Sequence, residues 1–230
     1  MAIMKLFFLG TGAADWPLQK QADYTEFRRL SSALVDDVLL IDPGPQVPES
    51  LETHGKDVNK IRYIINTHEH GDHFNQDTVA YLAQRGAAFI TFLPGETKQV
   101  GPYAVTALQG NHGTCRNTLH YIIEDEAGRR LFYGLDGAWL LYDEVAAIKK
   151  NGVDYALLDA TIGDVPGDYR IFEHNNLNMV LEMQKTLAPY VRRFGISHLA
   201  RTLHTDHETL VQTMAPYQID VACDGLEITI

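Results

Sequence analysis

The chain has 230 residues, 45% hydrophobic and 21% charged, with a net charge of −11. That length suits one domain, expected here to span 1–230, with enough chain to bury a substantial core. No apolar run is long enough to cross a bilayer. The acidic balance argues against a protein that grips an extended nucleic acid, because Arg28-Arg29, Arg129-Arg130, Lys149-Lys150 and Arg192-Arg193 are short, scattered pairs, whereas a phosphate backbone needs clustered cations.

Taken in chain order, short β-rich runs are predicted over 3–9, 31–35, 38–42, 61–66, 88–92 and 103–109. They continue over 118–124, 130–135, 154–159, 191–197, 218–222 and 226–230. The apolar stretch 6–9 stops at Gly10-Thr11-Gly12, so the N-terminal segment reads as a first strand rather than a leader. Helices are expected at 75–85, where Val79, Leu82 and Ala83 share a face, and at 140–150 and 177–187, the last ending before Pro189. A further one, 205–214, opens on a Thr-x-x-Glu capping box, Thr205-Asp206-His207-Glu208. Strands grouped in each half with helices between them point to an α/β fold of four layers, an αββα sandwich.

The segment 66–74, Asn-Thr-His-Glu-His-Gly-Asp-His-Phe, holds three histidines and an aspartate directly after the apolar run 61–65. Imidazole and carboxylate are ligands that borderline divalent metals prefer. On a loop at the sheet edge, His68 and His70 can share one metal while Asp72 and His73 turn toward a second. His112, Asp136, His198 and Asp42 each follow or end another short apolar run. One such residue alone is more often a cap or a core hydrogen-bonding group. Together with the central cluster they form a constellation at strand ends, where open sheets tend to place ligands.

With these residues in view, the chain resembles the metallo-β-lactamase-fold hydrolases over nearly its whole length, the motif being His68-Glu69-His70-Gly71-Asp72-His73. The resemblance implies a first metal on His68, His70 and His112. It implies a second on Asp72, His73 and His198, with Asp136 bridging and Asp42 behind a ligand imidazole to orient it. Leu9-Gly10-Thr11-Gly12, the stretch 28–34, Leu40-Ile41-Asp42-Pro43-Gly44-Pro45, His174-Asn175-Asn176-Leu177 and Cys223-Asp224-Gly225-Leu226 look like one branch of that family. It is the cyclic-phosphate phosphodiesterase branch of the carbon–phosphorus lyase type. That branch also carries a cysteine-rich structural zinc site, and the matching stretch 13–27 has no cysteine, so such a site is not expected here.

The expected function is therefore a binuclear metal-dependent hydrolase, a phosphodiesterase acting on a small phosphate ester, cyclic or linear. Two ions, zinc or alternatively manganese or iron, would share a water and bring its pKa toward neutrality, and the hydroxide would attack phosphorus. Asp72 and His174 are the candidate catalytic residues. His174 precedes a predicted helix start, whose amide dipole attracts anions, and would protonate the leaving alkoxide. His204 and His207, spaced to share a helical face, and Arg29 are candidate substrate contacts. Cys115, three residues from His112, is weighed as a ligand and set aside; His54 and His120 are read as structural. Two cysteines make no disulfide framework, and a cytoplasmic location is expected. Competing readings are a carbon-centred hydrolase (lactonase, thioesterase or β-lactamase-like), a tRNA-processing nuclease, and a non-catalytic binding module. No membrane partner is expected, and the oligomeric state stays open, a homodimer included.

Overall fold

Residues alternate between two cores through the middle of the central strands. In 153–159, Tyr155 and Leu157 enter one cluster while Ala156 and Leu158 enter another, and Leu131 and Tyr133 are split from Phe132 in the same way. Such period-two alternation, apolar on both faces, requires a sheet covered on each side. The computed structural model describes residues 3–230. Its first sheet is built from β1 (Lys5–Gly10), β2 (Ser32–Val35), β3 (Leu39–Ile41), β4 (Tyr63–Ile65) and β5 (Ala88–Phe89), with α1 (Val47–Thr53) and α2 (Gln76–Ala83) between strands.

The second sheet comprises β6 (Thr97–Val100), β7 (Tyr103–Gln109), β8 (Leu119–Asp125), β9 (Arg130–Gly134), β10 (Val153–Asp159), β11 (Val191–Ser197) and β12 (Ile219–Val221). Here α3 (Tyr142–Asn151), α4 (Leu177–Leu187) and α5 (His207–Met214) intervene, and β13 (Glu227–Thr229) returns to pair with β1. The orders are β13-β1-β2-β3-β4-β5 and β12-β11-β10-β9-β8-β7-β6.

Leu6, Phe8, Val35 and Ile41 of the first sheet meet Val105, Ile123, Tyr133 and Leu157 of the second in one buried cluster, so the sheets lie face to face. Val47 and Leu51 of α1 and Leu82 of α2 cover the outer face of the first sheet. Ile148, Val180, Met183 and Leu210 from α3, α4 and α5 cover the second. This is the expected αββα sandwich. Among the described residues no helix is long and apolar enough to cross a membrane.

Two local expectations change. The α5 N-cap is Asp206, whose side chain accepts from the Thr209 amide at 2.9 Å, so the helix starts later than a Thr205 box would place it. The run 88–92 supports only two ladder residues. Two elements went unpredicted. The edge strand β6 is mostly polar, and α1 turns the hydroxyl of Ser50 inward to donate to the Leu9 carbonyl at 2.5 Å, which hides its buried face from an apolar-periodicity reading.

The directions of the strands position the site. β9, β10, β11 and β12 are parallel, β7 runs with β9 because each is antiparallel to β8, and β3 is parallel to β4. The C-terminal ends of the strands that lead into His112, Asp136, Asp159 and His198 therefore open on one edge of their sheet.

Candidate metal centre

At two of these ends, and at the end of β3 in the first sheet, the backbone turns abruptly. Asp42, Asp136 and His198 have φ of 62°, 62° and 59°. Non-glycine residues adopt this left-handed region only when their surroundings impose it, and such residues cluster at functional sites. The loop after β4 is fastened from several sides. The Thr67 amide and hydroxyl donate to Asp42 Oδ1 at 2.7 and 2.8 Å, the Leu119 amide to Thr67 O at 2.8 Å, and the Tyr121 hydroxyl to Asn66 O at 2.5 Å. Gly44 lies so close beneath that a Cβ there would stand 2.7 Å from the Asp72 carbonyl oxygen.

These supports bring together the seven residues singled out as ligands. One group is His68, His70, His112 and Asp136; a second is Asp72, His73, Asp136 and His198, each with one donor atom per residue within 4.8 Å of the others. Asp136 belongs to both. Its Oδ2 is 2.8 Å from His68 Nε2, 3.3 Å from His73 Nε2 and 3.7 Å from His112 Nε2. His73 Nε2 faces His198 Nε2 at 3.1 Å, and His112 Nε2 faces His70 Nδ1 at 3.2 Å.

The outward ring nitrogens are tied to oxygen. His73 Nδ1 donates to Asp42 Oδ2 at 2.8 Å, His198 Nδ1 stands 2.6 Å from Thr161 Oγ1, and His112 Nδ1 donates to Glu173 O at 3.3 Å. A ring that donates outward from one nitrogen presents a lone pair inward from the other, which is how ligating histidines are held.

This donor set fits divalent ions. Two buried atoms at its centre, His68 Nε2 and Asp136 Oδ1, have charged neighbours, Asp136 Oδ2 at 2.8 Å and His174 Nδ1 at 3.0 Å, but no well-aligned hydrogen bond. His68 Nε2 is near a carboxylate yet not aligned with it, so proximity does not satisfy it. A cation among these atoms would satisfy both. Burial, aided by the charge of His73, lowers the His68 pKa to about 4, and burial also lowers that of His112, so both are neutral and available as ligands. Asp136 is driven well below the carboxylate range: burial opposes this, but His198, His174 and His68 outweigh it.

Two residues that sequence reading missed complete the surroundings. Asp159, fully buried at the end of β10, lies 3.2 Å from His174 Nδ1 and 3.3 Å from His198 Nδ1 and accepts from the Thr161 hydroxyl and Asn175 amide. It does for the second sheet what Asp42 does for the first, and the pattern of an apolar run closed by aspartate was there to be read in both. Arg170, on a short turn before α4, lines the cavity over the donor cluster and is paired with Asp168 at 2.6 Å.

His174 also lines that cavity, with Nδ1 3.0 Å from Asp136 Oδ1. Burial opposes its protonation, but Asp159 and Asp136 prevail and raise its pKa to about 10; His198 is raised to about 9, against its burial, chiefly by Asp136.

The remaining candidates lie apart. Arg29 is held by Glu49 at 2.9 Å and Asp224 at 3.8 Å and does not line the cavity. Its neighbour Arg28 is the buried one, donating to Thr11 Oγ1 and Ala222 O and meeting His207 Nδ1 at 3.0 Å. His204 donates to Ala160 O at 2.6 Å and, with Arg28, lines a neighbouring cavity of about 270 Å³. Cys115 lies outside both donor groups.

The ionic balance has a measurable consequence for chelated protein. His198 and His174 have folded pKa values above the unfolded value of about 6.5, so their contribution is complete below that pH and is lost as pH rises through about 9 and about 10. Asp136 has the opposite shift, and its contribution is lost only in acid. The thermal midpoint in chelator should therefore fall between pH 6.5 and 10, while zinc-loaded protein, in which His198 would already be deprotonated as a ligand, should fall less. A flat profile in chelator would contradict the pairing described.

Comparison with known proteins agrees with the architecture. The family model described as the metallo-beta-lactamase superfamily matches residues 30–76, which include Asp42 and the motif 68–73. The metallo-beta-lactamase fold protein YhfI from Bacillus subtilis superposes with a TM-score of 0.76 at 15% identity, covering 100% of both chains. A diphosphatase of the PhnP family superposes at 0.74 with 18% identity, over 100% of this chain and 98% of that one. Zinc-bound PqqB from Methylobacterium extorquens gives 0.74 and 18%, over 98% and 100%. None of the curated protein sequences matches. The two facing sheets, the donor cluster at their edge and the matched segment that supplies four of its seven residues lead to one conclusion: the chain has the metallo-β-lactamase fold.

Proposed function

We propose that the protein is a binuclear metal-dependent phosphodiesterase acting on a small phosphate ester. His68, His70 and His112 would hold one ion, Asp72, His73 and His198 the other, with Asp136 shared between them. Zinc suits the nitrogen and oxygen donors, as do manganese and iron. When bound, such ions supply Lewis acidity that makes water a nucleophile near neutral pH and offsets charge gathering on phosphate oxygens.

The observation that carries the reading is the His174–Asp159 pair beside the donor cluster. Hydrolysis of a phosphodiester expels an alkoxide, which needs a proton. Asp159 and Thr161 hold the Nδ1 side of His174, Nε2 has no protein partner among the described residues, and the ring lines the cavity. Asp159 thus favours the protonated imidazole and orients it toward the cavity. Arg170 puts a cation on the same cavity.

Cavity size bears on the substrate. About 250 Å³ is below the usual range of roughly 300–1,000 Å³ for drug-sized ligands, which favours a small ester. The net charge of −11 disfavours a polynucleotide. Two fold relatives support the chemistry by their descriptions, the PhnP-family diphosphatase and yeast PDE1, the latter with a TM-score of 0.69 at 10% identity.

The test is hydrolysis of bis(p-nitrophenyl) phosphate beside a panel of lactones, with metal content measured on the same protein. The diester should turn over with about two ions per chain, as a two-metal site requires. Turnover of lactones without turnover of diesters would sink the proposal in favour of carbon-centred hydrolysis.

A further inference from the structure

His120 occupies a position in β8 where the strand period calls for an apolar side chain. Its neighbours Leu119 and Tyr121 enter the core between the sheets, and Ile122 enters the core under the helices. His120 lies on the same side as Ile122, 1% exposed, with Nδ1 2.5 Å from Oε1 of Glu144, which is itself fully buried. A buried ion pair is weak evidence for stability, because apolar replacements of such pairs are often neutral or stabilising. Its position suggests another role.

The other ring nitrogen, Nε2, donates to the carbonyl of Leu135 at 3.1 Å, one residue before Asp136 and its left-handed backbone. Wherever the proton shared with Glu144 resides, Nε2 must carry one, since a carbonyl only accepts. The ring is also wedged between two turns. A Cβ on Gly137 would lie 2.9 Å from its Cε1, and one on Gly110 2.9 Å from its Nε2, so only glycine admits the imidazole on either side. Gly110 leads into His112 and Gly137 follows Asp136; the Ala138 amide donates to Asn111 O at 2.9 Å across the same gap. Glu144 is anchored in turn, its Oε2 accepting from the Leu141 amide at 2.6 Å at the start of α3.

We propose that His120, braced by Glu144, is a positioning residue that holds the turns bearing His112 and Asp136 at the spacing their shared ion requires. This rests on the reading of Asp136 as a shared metal ligand. The pair touches neither ion nor substrate; it acts through the Leu135 carbonyl and the two glycine contacts.

The test compares zinc affinity, by competition with a chromophoric chelator, with the thermal midpoint of the chelated protein. The double variant His120→Phe/Glu144→Gln keeps a ring, removes the buried charges and deletes the donor to Leu135. Its zinc affinity should fall by about 10–100-fold, the usual effect of losing a group that orients a ligand, while the chelated midpoint holds or rises. Glu144→Gln alone leaves Nε2–H on Leu135 and should recover most of that loss. Gly137→Ala retains the pair and presses a methyl against it, so it should lower affinity even if the double variant does not fold. Wild-type affinity in a folded double variant, an equal loss in Glu144→Gln, or wild-type affinity in Gly137→Ala would each overturn the proposal. A wild-type chain that binds no zinc would remove the metal centre itself and this proposal with it, a result distinct from a variant that binds as wild type does.

Discussion

Replacing Asp136 by alanine should empty the metal centre and reduce diester hydrolysis by at least about 10²–10³-fold, the loss typical of removing one charge-stabilising group. The geometry explains the size. A single carboxylate oxygen stands 2.8 Å from His68, 3.3 Å from His73 and 3.7 Å from His112, so it is common to both groups of proposed ligands, and no histidine is shared between those two. Elemental analysis should show well under two ions per chain. Alanine at φ 62° adds its own backbone strain of about 1–2 kcal/mol, so Asp136→Asn is the necessary partner variant. Asparagine tolerates that conformation yet brings no negative charge. If Asp136→Asn kept a full complement of metal and full turnover, the shared-ligand assignment would be wrong.

His174→Ala should slow turnover by about 10²–10⁴-fold if the residue is the general acid. The deficit should shrink for p-nitrophenolate, which leaves without a proton, and stay large for an alkyl leaving group. An equal loss for both would make His174 a binding residue, and no loss would remove the side chain on which the phosphodiesterase reading depends. Distance along the chain suggests that metal binding would be untouched, but in space His174 Nδ1 is 3.0 Å from Asp136 Oδ1. Metal content must therefore be measured with each rate. Asp159→Asn should reproduce part of the effect, since Asp159 holds His174 in place.

Much of the architecture was legible because period-two alternation survives in most long strands, β11 being an exception with Val191 and Phe194 in one cluster, and because the ligands follow apolar runs that end in polar residues. Strand ends suggested His112, Asp136 and His198 as partners of the motif 68–73, and the resemblance to metallo-β-lactamase-fold hydrolases implied the full set that the fold brings together. Asp159 was not seen because it was read as the last residue of a strand, although it closes its apolar run as Asp42 does. The His120–Glu144 contact leaves no local trace: the two residues are 24 apart, and only the β8–α3 packing brings them together. The choice between Arg28 and Arg29 was beyond sequence too, since adjacent residues point to opposite faces and nothing local says which face is inward.

Asp42, Asp136 and His198 are three of six non-glycine residues in the left-handed region, the others being Asp36, Asp37 and Gln218. Glycine would relax the backbone at any of them, by about 1–2 kcal/mol. At 198 that gain is outweighed, because Asp72, Asp136 and Asp159 would each lose the buried imidazole beside them. At Gln218 the side chain is exposed and nothing is set against the gain. A library sorted only for heat-resistant protein should therefore take glycine at 218 while keeping histidine at 198.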